Sequence, residues 1–472
     1  MSHATTTASD RRTDRPLVVV ANRLPVHRED PTSQVWRTSP GGLVAALRPA
    51  VHGRHTQWIG WGGESDAIPE RFDVDDLTLR PIALDRDEMD GHYVGFSNSS
   101  IWPLYHDAVF LPQFHRSWWD MHRRVNQRFA DRVAEVAPTG AMVWVHDYQL
   151  QLVPEMVRAL RPDVRIGFFL HIPFPPQELF LRLPWRSEII RGILGSDVIG
   201  FQTRVGMSNF RQVARRLIGI TSKGSLLEHE NRLIRCDAFP VGIDVESIVE
   251  IAHSPSCDAE VAALRADFAD QRRVLLGVDR LDYTKGISVR LRAYQELLED
   301  GLIDPTEVVL VQIAQPTRAD TPGYTEVRSE VEQLVGQING DFASMTSVAV
   351  KYLHQSQSIQ DLVALYRLAD VMLVTPLRDG MNLVAKEFVA ANEQGDGALV
   401  LSEFAGAAHQ LRAAHLVNPY DFRSLKAGIL DALSADRRSR ARSLRTLARE
   451  VRTHDATWWA DSFVDRLDGS TS

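Results

Sequence analysis

Short runs of β-branched and aliphatic residues recur along this chain, separated by longer stretches with helical spacing. The first series is Leu17–Asn22, Val143–His146, Ile166–Leu170 and Val198–Phe201; the second is Val274–Val278, Val308–Ile313, Val348–Tyr352, Val371–Thr375 and Leu399–Leu401. Runs that are apolar throughout fit strands covered on both faces, and helices between them make the connections crossovers rather than hairpins. The pattern therefore predicts βαβ units and parallel sheets, and two series predict two doubly wound α/β domains. Length agrees: 472 residues allow two to four domains at roughly 100–200 residues each, every one able to bury a core without disulfides or metals.

The junction is predicted at Phe239-Pro240-Val241-Gly242-Ile243-Asp244, giving domains over 17–240 and 241–455. Trp458, Trp459 and Phe463 are expected to anchor a final segment, 456–472, back onto the body. Residues 1–16, rich in Ser, Thr, Asp and Arg, lack the apolar stretch of a signal peptide and read as a disordered cytoplasmic tail. No run approaches the ~18 apolar residues of a membrane span. Cys236 and Cys257 are the only cysteines, with no zinc-ligand spacing, which fits a reducing compartment and a cytoplasmic location. A net charge of −8 gives no overall field toward nucleic acid or an anionic membrane, so any anionic ligand has to be met locally. The arginines between Arg437 and Arg452 alternate with Leu444, Leu447, Ala448 and Val451 at helical spacing, which predicts the solvated face of an amphipathic helix.

Polar residues gather just past the strand ends, where ligands bind in open α/β sheets: Asn22-Arg23, His146-Asp147, His171, Arg280 with Lys285, Arg318, and Arg378-Asp379-Gly380. Each has a structural alternative: Asp147 as a helix cap, His171 as a core histidine, Arg280 as a salt-bridge partner. Agreement among six strand ends favours a site. Arg280 and Lys285 stand five residues apart; an arginine fork and a lysine point charge together grip a diphosphate and stabilise it as it departs, so this reading needs no metal. After Pro376 a helix is predicted just past Gly380, making the amides of Met381, Asn382, Leu383 and Val384 a second phosphate cradle. Glu387, one to two turns in, is either a ribose acceptor or a surface glutamate. The paired glycines Gly41 and Gly42 either let backbone approach a ligand or mark a plain turn. Dinucleotide and P-loop glycine motifs and zinc-protease signatures are absent. The acidic run Asp73–Asp76 follows no buried strand and predicts an exposed turn.

These motifs, in this order, resemble the retaining glycosyltransferases of the trehalose-6-phosphate synthase family. The residues that carry the likeness are Ala21-Asn22-Arg23-Leu24-Pro25, Gly41-Gly42-Leu43, His146-Asp147-Tyr148-Gln149-Leu150, Phe169-Leu170-His171-Ile172-Pro173-Phe174-Pro175, Asp279 to Gly286, and Arg378 to Glu387. The resemblance spans about Leu17 to the last tryptophans. It implies a GT-B fold: two Rossmann-like domains facing across a cleft, the first holding glucose 6-phosphate, the second a nucleoside-diphosphate glucose, and the last helix crossing back to the first domain. Implied acceptor ligands are Arg23, Tyr93, Trp102, Asp147 and Arg318. Implied donor ligands are Gly41, Gly42, His171, Arg280, Lys285, Gln357, Asp379, Gly380, Met381, Asn382, Leu383, Val384 and Glu387. Asp147, His171, Arg280, Lys285 and Asp379 form the implied catalytic set.

The resemblance further implies front-face transfer without a covalent intermediate, in which Asp147 orients rather than attacks; retaining glycosidases instead set two carboxyls ~5 Å apart. UDP-glucose is the donor it favours and GDP-glucose the alternative, because the loop His354-Gln355-Ser356-Gln357-Ser358 expected against the base is merely polar. No cofactor, metal, nucleic-acid or membrane partner is implied, and self-association is left open. Rival readings are a relative using another phosphorylated acceptor or a cyclitol, and a catalytically silent sugar-phosphate sensor; intact Arg23, Asp147, His171, Arg280, Lys285 and Glu387 favour catalysis. With no phosphatase domain appended, the expected product is trehalose 6-phosphate.

Overall fold

A computed structural model describes residues 15–28, 36–38, 42–51, 56–63, 69–266, 272–317, 323–395 and 397–469. Its first sheet has parallel strands in the order Arg232–Ala238, Val198–Phe201, Arg165–Leu170, Met142–His146, Leu17–Arg23, Thr56–Trp61 and Leu77–Ile82. Antiparallel strands extend both edges: Phe72–Val74 on one side, Leu226–His229 and Thr221–Lys223 on the other. The second sheet is wholly parallel, in the order Val350–Leu353, Val308–Gln315, Arg273–Arg280, Val371–Val374, Ala398–Ser402 and His415–Val417. The strands are apolar throughout because both faces are covered: Leu17 to Asn22 are all buried and only Arg23 emerges. Each sheet separates two hydrophobic clusters.

All nine expected strands are present, with one shifted: Val350–Leu353 replaces Val348–Tyr352, and Val348 is exposed. Four parallel strands escaped the apolar-run pattern. Thr56–Trp61 is built on two tryptophans and a glycine, Leu77–Ile82 contains Pro81, Arg232–Ala238 is interrupted by Arg235 and Asp237, and His415–Val417 is short. Pro81 is tolerated because the hairpin partner Phe72–Val74 pairs only as far as Leu79.

Both sheets reverse their strand order at a switch point, the crevice where doubly wound sheets bind ligands. In the first it lies between Leu17–Arg23 and Met142–His146; in the second, between Arg273–Arg280 and Val371–Val374. The chain passes between the sheets at Val241–Ile243 and returns at His454–Ala456. The two crossings touch, since a Cβ on Gly242 would run into the Asp455 carbonyl. Helix Ala456–Asp468 then packs on the first sheet, with Phe463 stacked on Trp144 at 4.6 Å. Gly167 and Gly200 clear its groove; a Cβ at Gly167 would sit 2.6 Å from the Phe463 ring.

Helix Arg437–Thr453 buries Leu444, Leu447, Ala448 and Val451 and turns its arginines outward, as its spacing predicts. Asp75 and Asp76 form the exposed turn of the edge hairpin. The tail reading needs correction at its end: Arg15 pairs with Asp468 at 3.1 Å, and the Pro16 carbonyl accepts the Met142 N–H at 2.9 Å. Backbone pairing to the sheet thus begins at Pro16; residues 1–14 of the expected tail lie outside the described residues.

Candidate active site

At the second switch point, strand Arg273–Arg280 ends in a turn, Tyr283–Lys285, that reverses through Gly286 at φ +64°. This turn delivers Lys285 to Asp379, Nζ to Oδ2 at 2.5 Å, and Asn382 donates to the same oxygen at 3.1 Å. Burial works to raise the Asp379 carboxyl, but the charge and hydrogen bond of Lys285 outweigh it and hold the group below the ordinary carboxylate range. Asp379 is therefore an anion locked beside a cation. The buried salt bridge beneath this strand end belongs to Arg290, which sequence reasoning missed: it bonds Asp279 at 2.7 Å, Gln312 at 2.7 Å and Thr375 at 3.0 Å. Arg280 instead reaches across to the first domain, its guanidinium 5.5 Å from the Trp102 ring centre.

The helix expected just after Gly380 begins at Leu383, because Asn382 takes a left-handed conformation (φ +79°) and caps it through a bond from the Ala385 N–H. The opening amides of this helix, including those of the half-buried Leu383 and Val384, are the positive end of its dipole. Met381 is a core residue here. Glu387 is not a surface glutamate: it accepts a 2.9 Å bond from the Tyr366 hydroxyl, and burial raises its carboxyl. Gln357 is half-buried ahead of helix Ile359–Leu368. Gly42 opens helix Gly42–Val51. Gly41 and Arg318 lie outside the described residues.

At the first switch point, Arg23 lies 4.7 Å from the ring centre of Trp61 and 5.4 Å from that of Tyr93. Tyr93 comes from Met89–Ile101, wound as a π-helix, and Trp102 follows it directly. Neither was readable from a periodicity, and Trp61 was missed altogether. Asp147 sits at φ +73°, an unusual conformation for a residue with a side chain, and accepts the His171 N–H at 3.1 Å. It makes no cap bond to the turn that follows, which disposes of the capping alternative. His171 stands 3.1 Å from His146, Nε2 to Nδ1, and the dense packing around it lowers its imidazole to about 3, so it is neutral.

Among the described residues the two halves meet at several places. Besides Arg280 on Trp102, Arg378 pairs with Asp107 at 3.2 Å, Phe110 stacks on Tyr283 at 5.3 Å, and Gly380 abuts the His171 carbonyl with no room for a Cβ. A cavity at this junction is lined by Ile172, Pro173, Gln202, Arg378, Asp379 and Gly380. Among the described residues no cluster of three or more His, Cys, Asp or Glu is arranged to hold a metal, and no helix is long and apolar enough to cross a membrane.

Two Rossmann-like domains that present their strand-end loops to one another across a cleft are the architecture of GT-B glycosyltransferases, and that is the class of this chain. The chain belongs to glycosyltransferase family 20, whose model matches residues 15–469. It is 49% identical over 467 residues to the trehalose-6-phosphate synthase of Mycolicibacterium gilvum (strain PYR-GCK), covering 95% of this chain and 93% of that one. It is 49% identical over 465 residues to that of Mycobacterium avium (strain 104), with 95% and 94% covered. Among solved structures, the α,α-trehalose-phosphate synthase (UDP-forming) of Burkholderia xenovorans in complex with glucose-6-phosphate superposes with a TM-score of 0.89 at 34% identity, covering 96% of this chain and 100% of that one. An E. coli structure bound with UDP-2-fluoro glucose gives 0.88 at 33%, with 96% and 98% covered.

Proposed function

We propose that this glycosyltransferase moves glucose from UDP-glucose to glucose 6-phosphate, giving α,α-trehalose 6-phosphate with retention at the donor carbon and without a metal. The observation that carries the reading is the Lys285–Asp379 pair at the second switch point, with Arg280 beside it and touching the wall of the first. A glucosyl–diphosphate bond breaks by placing negative charge on the leaving oxygen, and fixed cations aimed there stabilise that charge without reorganisation. Arg280 and Lys285 take this role, and the amides at the start of helix Leu383–Ala391 share the diphosphate. Asp379 and His171 hold the transferred glucose, Glu387 the ribose, and Gly41, Gly42 and Gln357 the remaining donor contacts.

Arg23 and Arg318 receive the acceptor phosphate, with Tyr93, Trp102 and Asp147 orienting the sugar. Transfer then proceeds on one face: as the glucosyl–oxygen bond lengthens, the acceptor hydroxyl attacks from the leaving-group side and passes its proton to the departing phosphate oxygen. Asp147 orients and forms no bond to the sugar. Residues 17–240 serve as the acceptor domain and 241–455 as the nucleotide-sugar domain, with 456–472 returned to the first. The UDP preference is supported by the UDP-forming relative of known structure.

An initial-rate panel of UDP-, GDP- and ADP-glucose with glucose 6-phosphate tests the reading. The expected result is fastest turnover with UDP-glucose, yielding a non-reducing phosphorylated disaccharide. No transfer from any of the three favours a silent sugar-phosphate sensor, and a faster rate with GDP-glucose reassigns the base.

A further inference from the structure

A run of contacts that reaches the ligand-binding set at His171 and Gly380 ties both halves of the cleft to the peptide that joins them. Val241, 2% exposed, is the first residue of the outgoing crossing. Its N–H donates to Gln202 Oε1 at 3.0 Å, and its carbonyl accepts from Lys386 Nζ at 2.6 Å. Gln202 follows the strand Val198–Phe201, and its amide donates to the His171 carbonyl at 3.3 Å. That carbonyl is the one Gly380 approaches too closely for a Cβ. Lys386 lies on helix Leu383–Ala391, next to Glu387 and four residues past the cap Asn382. The returning crossing locks the same place, since Ala456 donates to the Ile243 carbonyl at 2.9 Å.

Lys386 is 1% exposed, and its hydrogen bond goes to a neutral carbonyl. A lysine held this way is costly, because desolvation disfavours its charge without a bonded carboxylate to offset it. Burial lowers it to about 7, against a weaker opposing pull from Glu450. A leucine or methionine would fill the same space on an otherwise apolar face, so packing alone does not call for an ammonium here.

We propose that Lys386 and Gln202 are positioning residues for glucosyl transfer: they clamp the linker at Val241 between the donor helix and the His171 wall, so that closing one substrate site sets the register of the other. The inference rests on the proposed transfer reaction. A misplacement of about 1 Å remote from the chemistry lowers a rate on the order of a hundredfold, which gives the clamp its leverage without any contact to substrate.

Lys386→Met, in the full-length protein, tests it. The thioether keeps the side chain's volume and removes both the donor and the buried charge, so the melting temperature is expected to stay near that of the wild type. UDP alone and glucose 6-phosphate alone are expected to bind within about twofold of the wild type, while kcat falls roughly 10- to 100-fold and the tightening of glucose 6-phosphate by saturating UDP disappears. A wild-type kcat with that tightening intact overturns the proposal. So does a loss of UDP affinity, kcat and melting temperature together, the mark of a packing role alone. Should Lys386→Met fail to fold, Gln202→Met is expected to give the same split, and wild-type kinetics in it overturn the clamp. The binding arm works even if the wild type transfers nothing: loss of transfer in the wild type refutes the reaction, whereas independent binding of the two ligands in the wild type refutes the clamp.

Discussion

The two halves of the cleft are built from opposite materials. At the strand ends of the second half two buried ion pairs stand in a dry setting, Arg290 with Asp279 at 2.7 Å and Lys285 with Asp379 at 2.5 Å. In the first half the buried basic and acidic side chains nearest the cleft are imidazoles, and the buried carboxylate Glu88 is paired away from it with Arg128. His92, His106, His122, His146 and His171 are all lowered by burial, to about 3 for His92 and His171 and about 4 for His106, and are therefore neutral. They contact one another and the aromatic rings around them: His92 meets His122 at 3.0 Å, and His106 donates to the Trp102 carbonyl at 2.8 Å. The first half's proposed phosphate ligand, Arg23, is exposed and rests on Trp61 and Tyr93. The difference matches two tasks. A departing diphosphate needs permanent charge at a fixed place, whereas an acceptor hydroxyl needs orientation by groups that do not compete for its proton.

The contrast is most severely tested where a buried charge is stranded. Arg290→Met leaves Asp279 and Gln312 without their partner, and breaking a buried ion pair costs about 3–5 kcal/mol. Urea unfolding followed by circular dichroism is expected to show that loss; stability within 1 kcal/mol of the wild type removes the ion pair as a structural element of the second half. Next comes Lys285→Ala, expected to lower kcat by about 10²–10³, the usual result of deleting one transition-state donor. A near-normal kcat takes Lys285 out of the chemistry.

Arg23→Ala sharpens the division from the other side. Losing hydrogen bonds to a charged group costs about 1.5–3 kcal/mol, roughly a 10- to 100-fold rise in KM for glucose 6-phosphate, with the donor KM little changed. Equal losses for both substrates break the assignment of separate halves.

Acid gives the mildest test. A histidine lowered on folding binds its proton more readily in the unfolded chain. Its contribution is complete above about pH 6.5 and is lost as pH falls toward the folded value near 3 to 4. Glu387, raised by burial, acts in the opposite direction within the second half. All ten tryptophans lie between Trp36 and Trp185 or at Trp458 and Trp459, so their emission reports the first half and the helix packed on it. The urea midpoint of tryptophan emission is expected to fall between pH 6.5 and 4.5; a flat midpoint contradicts the neutral-imidazole description.

The same contrast explains how far the sequence could be read. Arg280, Lys285, Asp379 and Asn382 fall within two short strand-to-turn segments, so local spacing brings out the second half. The first half is assembled over distance. Trp61 ends a strand with no apolar run, Tyr93 sits in a π-wound segment that follows no 3.6-residue period, and Trp102 comes directly after it. Arg290 and Lys386 read as ordinary helix residues, and only packing shows that both are fully buried. Strand order was equally out of reach, because a switch point depends on which strands become neighbours, not on how any one of them is spelled.

The most direct test is the rate of trehalose 6-phosphate formation from UDP-glucose and glucose 6-phosphate after exhaustive treatment with EDTA. If Arg280 and Lys285 carry the charge that a metal carries elsewhere, the rate is unchanged by chelation and collapses in Lys285→Ala. A rate abolished by EDTA and restored by Mg²⁺ contradicts the division of labour between the charged and the neutral half.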